Sequence, residues 1–401
     1  MRIATIMPTL PFPGELRAAT EARALVGAGF QVSALSAGEK GSPGSGEELG
    51  VDVERIARSD FLMKICNVIL KVTSYRRHPL WSRRIKRFIG RGGFDLVHVH
   101  ELKPFFVAAR AARKAGLPVV LDLREDYPEM EKGASRGWTW RLFNSIEKLE
   151  RNQRDACVMA DAVLVVSPMF VEVLHRRYPG VPREKMVLVS NYADVEVIEQ
   201  LRSGAGAAGV SQTFTITYVG SMGSIERGIQ TAIAAMPRIR EAIPGAKLLL
   251  FGDGGYVPVL RKQVASLGLD EAVEFGGWVP FESVPDIITR STVCVVPSLN
   301  MSYECDMALP LKLFQYMLME RPVVVSDCHE LKRVVEESGA GLVFRAGDAR
   351  DLADRVIELE DPRLRRSLGE RGRLAVLEEY NFAADGRRLA ELFSRLGGGR
   401  S

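Results

Sequence analysis

The chain has 401 residues, 46% hydrophobic and 26% charged, which is the balance of a soluble globular protein too long for one ordinary core, so two domains are expected. Five cysteines, Cys66, Cys157, Cys294, Cys305 and Cys328, stand in no metal-like spacing. They argue against a zinc site or a disulfide framework and for a reducing compartment. Net charge is only +4, and no run of about eighteen uncharged apolar residues is present to span a bilayer.

The opening MRIATIMP reads as a strand, Arg2–Ile6, and lacks the apolar core and cleavage site of an export leader. Strands are predicted next at Gln31–Leu35, Leu96–His100, Pro118–Leu123, Ala162–Val166 and Lys185–Val189, with helices such as Ala18–Gly27 and Lys103–Ala115 between several of them. Strands alternating with helices imply a parallel, doubly wound sheet. Between Phe61 and Phe94 there is no acidic residue, while Lys64, Lys71, Arg76, Arg77, Arg83, Arg84, Lys86, Arg87 and Arg91 supply nine positive charges. FLMKICNVILKV places Lys64, Asn67 and Lys71 on one stripe of an otherwise apolar helix too short to span. The expected partner is an anionic membrane surface met by Lys64, Lys71, Arg83, Arg84, Lys86 and Arg87. Packing of the apolar face on the protein's own sheet is the competing account. The aromatic residues form no stacking platform for nucleic acid.

SGAGAAGVS, residues 203–211, is a small-residue linker and sets the expected division: a domain over 1–200, a linker over 201–212 and a second domain over 213–378. The strand–helix pattern restarts with strand Phe214–Val219, helix Gly228–Ile243, strand Lys247–Gly252, helix Val257–Leu267 and strands Ala272–Phe275 and Val293–Pro297. In ALPLKLFQYMLMERPVVVSD, residues 308–327, Pro310 opens a helix that Arg321–Pro322 ends, and Val323–Val325 is a buried strand. Lys312 and Gln315 lie near that helix's N-terminus, where free N–H groups and the dipole favour an anion. FGDGG is no nicotinamide fingerprint, since no full Gly-x-Gly-x-x-Gly follows. Residues 379–401 hold an amphipathic helix expected to pack back on the first domain. The fold class is therefore α/β, two Rossmann-like doubly wound domains facing a central cleft.

These stations, taken in order, resemble glycosyltransferase family 4, the retaining nucleotide-sugar enzymes of the GT-B fold. The residues that carry the resemblance are GELRAATEARALVGAGFQV, VHVHE at 97–101, LDLREDYPEM at 121–130, ADAVLVVS at 160–167, YVGSMGSIERGIQTAIAAM at 218–236, LLLFGDGG at 248–255, VEFGGWVP at 273–280 and ALPLKLFQYM. The resemblance implies transfer of a sugar from a nucleoside-diphosphate donor, UDP ahead of GDP, to a hydroxyl acceptor on a glycan or lipid-linked carrier. No cofactor or metal is expected, because no Asp-x-Asp pair is present to hold one. The implied location is cytoplasmic, peripheral on the inner face of the cell membrane.

By the same resemblance, Arg227 and Lys312 would neutralise the donor diphosphate, Gly220, Ser221 and Leu313 would line it, and Gln315 would meet the ribose in place of a glutamate. His100 would orient the donor sugar without covalent attack, with a hydrogen-bonded core role as the alternative and as the expectation for His98. Glu125 stands as a catalytic candidate beside Arg124, or as part of a solvated acidic turn. Gly14, Arg17 and Arg124 would form the acceptor or phosphate side of the first domain, with a plain surface turn as the alternative for the first two. The family's usual first motif glutamate falls on Met307, and Ser221 replaces a common arginine. These departures keep two other readings open: a non-catalytic GT-B-like binding or scaffold subunit, and a GT-B phosphorylase or epimerase.

Overall fold

The computed structural model describes residues 1–38, 44–56, 79–132, 145–204 and 213–398. The chain forms two compact units, one of Met1–Ser190 with Ala383–Ser401 and one of Asn191–Phe382. The first boundary lies ten residues before the expected one. The reason is packing: Ala193 pairs with Asn381, and Ile198 is buried in the second unit's core.

The first unit is built on an eight-stranded sheet of β1 (Arg2–Pro11), β2 (Gln31–Ala37), β3 (Ser45–Glu48), β4 (Val51–Ile56), β5 (Leu96–His100), β6 (Val119–Asp122), β7 (Ala162–Val165) and β8 (Met186–Leu188). The order is β3-β4-β2-β1-β5-β6-β7-β8, parallel except for β3. Strands β5, β6 and β7 are buried at every position, as expected of strands covered on both faces, and their apolar runs were legible for that reason. The β3–β4 hairpin was not predicted. Its turn places Leu49 and Gly50 at positive φ, and a leucine there is not a turn signal. Because β1 leads to β2 on one side and β5 lies on the other, the topological switch point falls between β1 and β5.

The helix Phe382–Gly397 completes this unit. Its Phe393 is fully buried edge-on to the His98 ring at 5.2 Å, and Asp385 accepts from the Ser190 N–H at 2.7 Å. The helix Pro79–Gly90 spends its apolar face on the same unit: Trp81, Ile85, Phe88 and Ile89 are buried, while Arg83, Arg84, Lys86 and Arg87 face solvent. Lys64 and Lys71 lie outside the described residues. Among the described residues no helix is long and apolar enough to cross a membrane.

The second unit carries a wholly parallel sheet of β9 (Thr215–Val219), β10 (Lys247–Phe251), β11 (Val273–Gly277), β12 (Val293–Val296), β13 (Val323–Ser326) and β14 (Gly341–Phe344), in the order β11-β10-β9-β12-β13-β14. The short, half-buried edge strand β14 was not predicted. The four described cysteines are free and buried.

Candidate functional site

In the second unit the loops after β9 and β10 are drawn together by glycines. Gly220 has φ of +142°, and a Cβ there would stand 2.4 Å from Lys312 Nζ; a Cβ at Gly252 would stand 1.9 Å from the Gly220 carbonyl oxygen. Only glycine at 220 lets the lysine lie where it does. The helix Leu311–Leu318 starts behind Pro310, and Lys312 leaves its first turn to place Nζ over the Tyr218 ring at 3.7 Å from the centroid. Burial, and after it the charge of Arg227, holds the Lys312 ammonium well below the usual lysine range. Burial likewise pushes the Tyr218 phenol up to about 12, against the opposing pull of Arg227. Neither Arg227 nor Lys312 forms an ion pair with a described carboxylate. Two cations near enough to repel one another, neither paired with a described carboxylate, are an arrangement able to accept a multiply charged anion.

The other expected residues of this unit are placed as follows. Ser221 is exposed and its Oγ accepts from the Gly223 N–H at 3.2 Å. Gln315 is buried one turn after Lys312, and its amide makes no hydrogen bond to a described residue. Leu313 is a core side chain whose own N–H is donated to the Pro310 carbonyl at 3.0 Å, so it offers the site no free donor. Met307, at the motif glutamate's position, is buried and apolar.

In the first unit a polar cluster fills the carboxyl ends of β5 and β6. Asp122 receives Arg17 Nη2 at 3.0 Å on one oxygen and Arg124 Nε at 2.8 Å on the other. Against the cost of burial, these two guanidiniums hold its carboxyl well below the usual carboxylate range. Arg17 also meets Glu21 at 2.9 Å, and Arg124 reaches Glu15 at 2.7 Å and His100 Nδ1 at 2.6 Å. Glu21 is buried, and desolvation outweighs Arg17 to push it from 4.5 up to about 7. The His98 and His100 rings lie on the same side of β5, 4.3 Å apart. Burial, then the neighbouring His100 ring, holds His98 well below the usual imidazole range.

This geometry revises three expectations. Arg17 is buried and bonded to two carboxylates, so it braces the cluster and is not a cation offered to a phosphate. His100 is 1% exposed beneath Arg124, which makes it part of the floor, not the surface, of this half-site. Arg124 is largely buried and already bonded to three groups. Glu125 and Gly14 are exposed at the turns where the sequence placed them.

Residues 14–197 match the family profile described as Glycosyltransferase Family 4, and residues 213–361 match that of Glycosyl transferases group 1. The chain belongs to glycosyltransferase family 4. An alpha-D-kanosaminyltransferase of Streptomyces kanamyceticus is 25% identical over 61% of this chain and 63% of its own length. A GDP-mannose-dependent phosphatidylinositol monomannoside mannosyltransferase of Mycolicibacterium smegmatis is 23% identical over 79% and 80% of the two chains. Among solved structures, the sucrose-phosphate synthase of Thermosynechococcus elongatus superposes with a TM-score of 0.78 at 20% identity, covering 99% of each chain. Anabaena HepE, solved with UDP-glucose, superposes at 0.72 and 18% identity, covering 99% of this chain and 100% of its own. The fold is GT-B.

Several residues of this glycosyltransferase were not singled out from sequence. Tyr218 gave no signal, being one apolar-compatible residue in a strand. Asp122 ends an otherwise apolar strand, and a charge there must be paired; Glu21 follows Arg17 by one helical turn. Both were readable. Glu101, directly after His100, holds φ 71° and ψ 156°, a region that costs a residue with a side chain roughly 1–3 kcal/mol. Glu21, His98, His100 and Asp122 bring ligand atoms within 4.8 Å of one another, but Arg17 and Arg124 already supply positive charge to both carboxylates, so the cluster is not assigned a cation.

Proposed function

We propose that this glycosyltransferase moves a sugar from a nucleoside-diphosphate donor to a hydroxyl acceptor with retention at the anomeric carbon. The observation that carries the reading is the pair Lys312 and Arg227, two cations without a described carboxylate partner, at the glycine-lined carboxyl ends of β9 and β10. A diphosphate supplies the missing negative charge, and the same cations stabilise it as a leaving group when the anomeric carbon–oxygen bond breaks. As that bond breaks, the acceptor oxygen bonds to the anomeric carbon and its proton leaves with the nucleoside diphosphate. In this reading Gln315 meets the ribose as a neutral amide, and the chain's own cations take the part a metal plays elsewhere.

UDP is placed ahead of GDP as the donor nucleotide: the UDP-glucose bound by HepE supports the first, and the GDP-mannose-dependent relative supports the second. That relative's phosphatidylinositol acceptor supports a lipid-linked acceptor here. The outward basic face of Pro79–Gly90 supports docking on an anionic membrane by charge, with its apolar face already spent on packing. A thermal-shift screen of UDP- and GDP-sugars, with and without EDTA, followed by mass spectrometry of products, tests the reading. No stabilisation by any nucleotide sugar would refute it, and a strict divalent-ion requirement would refute its charge assignment.

A further inference from the structure

The donor reading leaves the first unit's switch point unexplained, and Glu101, a side-chain-bearing residue at positive φ, stands there. Glu101 closes β5 and precedes the helix Leu102–Lys114, yet its carboxylate makes no hydrogen bond to the first-turn N–H groups that a carboxylate in this position ordinarily caps. It turns instead across the switch point, where Oε2 accepts from Thr9 Oγ1 of β1 at 2.7 Å. Oε1 makes no bond to a described residue, and Glu101 is half-exposed. Backbone and side chain therefore disagree with a purely structural role. Glycine would occupy φ 71° without strain, and a capping role is declined by the side chain that is present. Ligands of open parallel sheets enter at the carboxyl ends of the strands that flank the switch point, here β1 and β5.

The neighbouring charges narrow the ligand. Arg17 is buried on Asp122 and Glu21, and Arg124 is bonded to Glu15, Asp122 and His100. The two arginines of this cluster are thus neutralised within it, whereas Arg227 and Lys312 of the second unit form no ion pair with a described carboxylate. A carboxylate oxygen with no described partner accepts from a sugar hydroxyl, and Thr9, its proton already given to Oε2, holds the carboxylate in place.

We infer that Glu101, oriented by Thr9, is an acceptor-binding residue whose free carboxylate oxygen takes a hydroxyl of an uncharged sugar acceptor. The inference rests on the sugar-transfer reading and deepens it. It is tested without nucleotide, by saturation-transfer NMR of the whole protein with methyl α-glucoside, methyl α-mannoside, methyl N-acetyl-α-glucosaminide and glucose 6-phosphate. Wild type should show transfer to at least one glycoside. Glu101→Gly should weaken that binding tenfold or more while its melting temperature stays level or rises through relief of strain, and Glu101→Gln and Thr9→Val should fall between. Equal glycoside binding by wild type and Glu101→Gly would overturn the inference, as would no transfer to any glycoside in wild type. Preferential binding of glucose 6-phosphate, unchanged in Glu101→Gly, would also overturn it by placing an anion at this position. UDP and GDP titrations on the same proteins stand apart: their failure strikes the donor reading, while the glycoside result judges Glu101.

Discussion

Replacing Lys312 with methionine should move folding and binding in opposite directions. The ammonium is held well below the lysine range by burial and by Arg227, so the folded state is burdened by the charge until a ligand arrives. Lys312→Met keeps most of the side-chain volume over Tyr218 and removes that burden, so the free protein should melt at a higher temperature than wild type. The sign with pH follows from the direction of the shift. The folded-state pKa lies below the ordinary 10.5, so the penalty is complete below the folded value and disappears as pH rises toward 10.5. The variant's advantage should therefore be greatest at low pH and shrink as pH rises through that window. Binding should respond the other way, because a charge-assisted hydrogen bond to phosphate is lost. That loss is worth roughly 1.5–3 kcal/mol, or about ten- to a hundred-fold in Kd. Wild-type affinity for UDP should itself decline as pH rises through the free lysine's pKa, and the variant should lose this dependence. Calorimetric titration of UDP and thermal melts across pH read both effects. A variant that melts lower than wild type and binds UDP equally well would refute the argument.

Gly220→Ala puts a methyl group 2.4 Å from Lys312 Nζ and should weaken UDP binding as the lysine withdraws, with little further loss when combined with Lys312→Ala; additive losses in that titration cycle would disprove the shared cause. Gln315→Leu should raise the donor KM, while Gln315→Glu should keep or improve activity in the same steady-state assay. Glu21→Gln removes a carboxyl whose folded pKa is raised from 4.5 to about 7, so its gain in stability over wild type should grow as pH rises between those values and then level, as urea melts at several pH values would show. Sedimentation with liposomes should require anionic lipid, fall with salt and drop when Arg83, Arg84, Lys86 and Arg87 become glutamine; equal recovery in the supernatant with and without anionic lipid would dismiss the docking surface.

Much of this protein was determined by local sequence. Strands β12 and β13 are near-continuous apolar runs buried at every position because both faces of a parallel sheet are covered there, and such runs report themselves without knowledge of their neighbours. Gly220 and the Pro310 helix start were legible through backbone restrictions that act residue by residue, whereas the close approach at Gly252 was not singled out. What the sequence could not convey was which charges would be spent on one another. Arg17 and Asp122 are 105 residues apart, yet their ion pair turns an apparent ligand-binding arginine into an internal brace. Arg227 and Lys312 are also distant in sequence, and no described carboxylate pairs with either, which is the basis for reading them as the donor's partners. The switch point between β1 and β5, the turn of Glu101 toward Thr9 and the burial of His100 under Arg124 likewise exist only once strands distant in the chain lie side by side. Pairing energies depend on distances set by the tertiary fold, whereas helix and strand signals depend on the chain's own periodicity.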